Sequence, residues 1–115
     1  MTSAHIDKLV KLIGTARDGA LLRFSLGSEY LKLDDFEHAA ASLRAAVQMN
    51  PDYSAAWKLL GIALGRSGHP EQALEAYRQG IAVAERKGDR QAAREMQVFA
   101  RRLEKQSGSP TETQN

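Results

Sequence analysis

The side chains with most chemistry to offer are three histidines, an acidic run and a file of basic residues near the C-terminal end. His5, His38 and His69 fall in three separate segments, none has a second ligating residue at metal-site spacing, and the chain has no cysteine. Zinc wants three or four convergent ligands, so this set predicts no metal site. His69, beside Pro70, reads as a turn residue at a helix start, and His38 as an exposed helix residue. Asp34, Asp35 and Glu37 could be imagined as an acid/base pair. Carboxylates at a helix start also answer its unpaired amides and its dipole, which explains them without catalysis. No glycine-rich phosphate loop, serine nucleophile motif or paired buried carboxylates stand out. The reading is therefore non-enzymatic, with no cofactor.

Arg90, Arg94, Arg101 and Lys105 share one arc at helical spacing, joined by Arg86, Lys87 and Arg102. Such a row could follow the phosphates of a nucleic acid or an acidic lipid surface. Glu85, Asp89, Glu95 and Glu104 interrupt it, and no aromatic residue accompanies it to stack on bases. A solvated helix face is the expectation and phosphate contact the alternative. The overall balance, 16 basic against 14 acidic residues for a net charge of +2, does not by itself ask for an anionic partner.

These residues must be carried by a helical chain. Its 115 residues make about one domain with a single modest core. Absence of cysteine fits a reducing compartment. No apolar run approaches the roughly 20 residues that span a bilayer, and the start lacks an export leader, so the expected location is cytoplasmic. Ser3 is placed to cap a helix over 4–13, where Ile6, Leu9, Val10 and Ile13 recur until Gly14. Asp18 is placed to cap the next helix, running to about Leu33 through Leu22, Leu26 and Tyr30, and a following helix runs to Met49. Asn50-Pro51-Asp52 stops it. A further pair follows from Tyr53 or Ser54, with Pro70 at a first helical position. Gly88-Asp89 makes a stop and a new cap, and a last helix over 89–106 aligns Ala92, Met96, Phe99 and Leu103. Residues 107–115 read as a polar, disordered tail.

A repeat underlies the four central helices. Trp57, Leu60, Gly61 and Leu64, followed by Ala73 and Tyr77, are matched thirty-four residues earlier by Leu26, Gly27 and Tyr30, followed by Ala39 and Leu43. Pro51 closes the first copy, and Arg23 stands where the second has Trp57. A glycine inside a helix costs about 1 kcal/mol relative to alanine, so Gly27 and Gly61 call for close helix packing, expected here against Ala39 and Ala73.

This pattern resembles the tetratricopeptide repeat. The resemblance implies an all-α, right-handed superhelix of antiparallel hairpins, with repeats over 20–53 and 54–87 and a capping helix at each end. It implies binding of another protein's peptide or helix in a concave groove lined by the first helix of each repeat. Carried over, the groove positions are Leu21, Phe24, Ser28 and Leu31, then Ala55, Lys58, Ile62, Gly65 and Arg66. Leu21, Phe24, Leu31 and Ile62 would form an apolar floor, with Lys58 and Arg66 as a cationic margin. Phe24, Ser28 and Ile62 replace polar members of the clamp with which some family members grip a C-terminal carboxylate, so that specificity is not implied. The expected state is a monomer or weak homodimer. The N-terminal helix is expected to cap the first repeat rather than lie in the groove.

Overall fold

The computed structural model describes residues 3–106, so the tail over 107–115 lies outside the described residues. These residues form six helices and no strand: α1 Ala4–Val10, α2 Ala20–Lys32, α3 Phe36–Met49, α4 Ser54–Arg66, α5 Pro70–Arg86 and α6 Arg90–Gln106. Each packs on its successor, and α2 also reaches α4 as α4 reaches α6.

Ser3 caps α1, its hydroxyl accepting from the Ile6 amide at 3.1 Å. The helix is shorter than its apolar pattern suggests. Beyond Val10 the Leu12 and Ile13 amides bond carbonyls three residues back, at 3.0 and 3.1 Å, and Gly14 turns the chain at φ 83°. This tighter winding rotates Ile13 off the apolar face, and Val10 and Ile13 are exposed while Ile6 is buried. α1 touches α2 alone, covering Leu22 and Leu26, neither of which is a groove position.

Asp18 does not cap α2. Gly19 holds the N-cap position, and the Asp18 carboxylate receives Arg23 Nε at 2.9 Å, Arg23 Nη2 at 3.0 Å and the Gly14 amide at 2.9 Å. The guanidinium first, then the Gly14 amide, holds its carboxyl well below the usual carboxylate range. Arg23, the departure from the repeat pattern, thus pins the loop between α1 and α2. Of the two aspartates before α3, only Asp35 caps, accepting from the His38 amide at 3.3 Å. Asp34 adopts a left-handed φ of 57°, the conformation that Gly68 and Gly88 supply after α4 and α5.

The two register glycines are close-packing points, but against different neighbours from those expected. A Cβ on Gly27 would overlap the Leu43 side chain, and one on Gly61 the Tyr77 ring. Ala39 and Ala73 are fully buried, yet the Ala73 methyl faces Gly65. The reason is helical direction: a side chain on the second helix leans toward that helix's N-terminus, so the residue one turn beyond the alanine reaches the glycine. Gly80 is a third such point, where a Cβ would meet Met96 and the Cβ of Trp57. The indole of Trp57 donates to the Pro51 carbonyl at 2.8 Å, tying the second repeat to the turn that precedes it. Arg86 pairs with the Asp52 carboxylate, and Lys87 donates to the Asp52 carbonyl at 2.6 Å, so the end of α5 is fastened to the same turn.

Candidate partner-binding groove

Of the nine groove positions, the structure brings Ile62, Gly65 and Arg66 together on one wall of a cleft of about 440 Å³. The facing wall is α6, through Phe99, Arg102, Leu103 and Gln106, and Tyr77 with Gly61 forms the floor. At Gly65 a Cβ would meet Leu103 at 3.7 Å and Ala73 at 3.8 Å, ordinary contact distances.

The other positions do not line this cleft. Phe24 stacks on Tyr53, centroids 4.9 Å apart, and both Phe24 and Leu31 pack against the main core. Leu21 is 69% exposed, Ser28 is half-buried and Ala55 is exposed. Lys58 reaches across to α6 and pairs with Glu95 at 3.1 Å, so its charge is answered within the chain. Arg66 lies over the Phe36 ring, 5.6 Å from its centroid, a cation–π arrangement that leaves carboxylate recognition open. Burial pushes the Tyr77 hydroxyl up to about 12, while the Arg66 charge pulls the other way.

Sequence reasoning missed the α6 wall. Its apolar stripe was legible: Met96 is buried against the rest of the fold, Ala92, Phe99 and Leu103 are half-buried, and Ala93, outside that stripe, is buried as well; but the helix reads as a cap because no Leu-Gly pair marks it. In space α6 stands to α4 as α4 stands to α2, in the place of another repeat's first helix. Aligning the N-terminal starts, Tyr53 of α4 with Asp89 of α6, would have found it: Met96 then falls on Leu60 and Arg102 on Arg66.

The histidines serve locally. His38 stacks on Tyr30 and contacts the Asp35 carboxylate at 2.8 Å, His5 lies 4.0 Å from Glu29, and His69 precedes α5. Among the described residues no group of three or more His, Cys, Asp or Glu could hold a metal ion, and no helix is long and apolar enough to cross a membrane.

Paired antiparallel helices with register glycines, stacked so that first helices line a common face, can be compared with known proteins. The family model for the tetratricopeptide repeat matches residues 24–82. The chain belongs to the tetratricopeptide repeat family. A TPR repeat-containing protein of Pseudomonas aeruginosa is 46% identical over 100 residues, which cover 87% of this chain and 95% of that protein. The solution structure of a Bordetella parapertussis protein superposes with a TM-score of 0.80 at 36% identity, covering 99% of each chain. A tetratricopeptide repeat domain protein of Salinibacter ruber gives a TM-score of 0.69 at 30% identity, covering 76% of this chain and 88% of that one. The fold is therefore the all-α tetratricopeptide superhelix. The family's general role is protein–protein interaction, and its members are typically non-catalytic scaffolds.

Proposed function

We propose that the protein is a non-catalytic adaptor that holds a peptide or helix of a partner protein in its concave groove, centred on the cleft between α4 and α6. The observation that carries this reading is the cleft itself. Apolar side chains of Ile62, Phe99 and Leu103 stay half-buried beside two guanidinium groups, in a space with room for a partner's side chains. The monomer, or a weak homodimer that leaves this face clear, is the state that binds. The phosphate alternative is weakened because two cations of the basic row, Arg86 and Lys87, are engaged with Asp52.

The test fills the cleft without removing a packed side chain. Gly65→Phe directs a ring into the space, and proteins captured by the parent should be lost by this variant while its melting temperature holds. An Arg78→Glu control on exposed α5 surface should capture as the parent does. Equal capture by Gly65→Phe and parent would place the binding face elsewhere.

A further inference from the structure

We infer that the cleft between α4 and α6 takes an acidic, apolar helical segment of a partner, with a carboxylate side chain between Arg66 and Arg102 and a bulky apolar side chain one turn away on Ile62 and Phe99. The inference rests on the groove reading and names the chemistry of its ligand.

Two observations carry it. The first is charge. No carboxylate lines the cleft, while Arg66 from one wall and Arg102 from the other both do. Lys58, the other cation of α4 at a groove position, is already matched by Glu95. Arg102 has no ion pair or hydrogen bond to a side chain among the described residues, and Arg66, which lies over the Phe36 ring and acts on the Tyr77 hydroxyl through its charge, has no carboxylate partner there. Two like charges brought to one space favour an anion between them, and a guanidinium edge suits a carboxylate.

The second is order along the walls. On α4 the apolar Ile62 precedes Arg66 by four residues, and on α6 Phe99 precedes Arg102 by three. On both walls an apolar side chain, Ile62 or Phe99, thus stands one helical turn before an arginine, and Leu103 lies beside Arg102 at the level of Gly65. A ligand that satisfies both must carry its carboxylate and its bulky side chain about one helical turn, roughly 5 to 6 Å, apart on one face.

The probe is an mRNA-display library of short random peptides, whose C-termini are linked and therefore offer no terminal carboxylate. It is selected on the full chain, and enriched sequences are then made as amidated fluorescent peptides. Enriched peptides should pair Asp or Glu with Leu, Ile, Phe or Trp three or four residues away. Arg66→Gln and Arg102→Gln should each weaken binding about tenfold, the loss expected when a charge-assisted hydrogen bond is removed. The double variant Arg66→Glu/Arg102→Glu should select basic peptides instead. Thermal melts of each variant, both residues being exposed, separate lost recognition from lost folding. Enriched peptides that lack a carboxylate, or that lose affinity to Gly65→Phe but not to either glutamine variant, would keep the groove and overturn its acidic ligand. Enrichment no greater than on bare beads would overturn both.

Discussion

Adding a single methyl group at Gly61 should destabilise the protein, although alanine is the better helix former. The ideal Cβ at Gly61 overlaps the Tyr77 ring, which is 4% exposed, meets Phe99 edge-on with centroids 6.1 Å apart, and could yield only by shifting into the cleft it floors. Overpacking a core costs about 1–3 kcal/mol, and the upper half of that range applies because the overlapped atoms belong to a rigid ring. Against it stands the helix-propensity gain of about 1 kcal/mol for Gly→Ala. The net expectation for Gly61→Ala is a loss of about 1–2 kcal/mol. One turn on, Gly65→Ala places its methyl at ordinary distances from Leu103 and Ala73, and so keeps the gain of about 1 kcal/mol. Urea and thermal unfolding followed by far-ultraviolet circular dichroism should therefore separate the two variants by about 2–3 kcal/mol, on opposite sides of the parent. In melting temperature each kcal/mol is worth about 4–8 °C for a small domain. Gly61→Ala as stable as the parent, or Gly65→Ala less stable, would refute the account of these glycines.

Three further outcomes follow from the turns. Asp18 titrates lower in the folded chain than in the unfolded one, so its contribution is complete above about pH 4 and is lost as pH falls through and below that value. Asp18→Asn should lower the melting temperature near neutrality, and in parallel melts the gap to the parent should narrow steadily as pH is taken below about 4, with part of it persisting at about pH 3; a gap that stays constant down to that pH would deny the clasp with Arg23. Asp34→Gly should raise stability by about 1 kcal/mol by relieving a left-handed aspartate, measured by urea unfolding, and an unchanged midpoint would mean the turn carries no strain. Trp57→Phe removes the indole donor to Pro51 and should cost about 1 kcal/mol or more, with faster amide exchange at Tyr53, whose amide bonds Asn50 within that turn.

The repeat was legible because its determinants are local in sequence. Register glycines, a helix-stopping Asn-Pro and capping serine and aspartate each act within a turn or two, so their spacing alone gave helix pairs and family. What escaped were properties of direction and pairing across the chain. Nothing in the one-dimensional pattern says that Tyr77 rather than Ala73 leans over Gly61, because that depends on the tilt of a side chain from the neighbouring helix. Arg23 looked like a missing tryptophan, since its partner Asp18 was read as a cap with the amides nearby rather than as half of an ion pair. Phe24 and Lys58 were assigned to the groove by position, and their side chains turn to Tyr53 and to Glu95, partners far off in the sequence. Ile62, Gly65 and Arg66 line one cleft together, but the wall facing them belongs to a helix that lacks the family's sequence signature.

Helices that lean only on their neighbours make resistance to opening a property of place. α1 rests on α2 alone and contributes a single fully buried side chain, Ile6, whereas α4 is held by α2, α3, α5 and α6. Amide exchange should therefore run as a gradient, quick in α1 and slowest through α3 to α5. The cleft is formed at the far end of the array from α1, so the first helix can peel away and return without disturbing it. Proteolysis or fraying at the N-terminal end would shorten the molecule and leave the cleft between α4 and α6 intact.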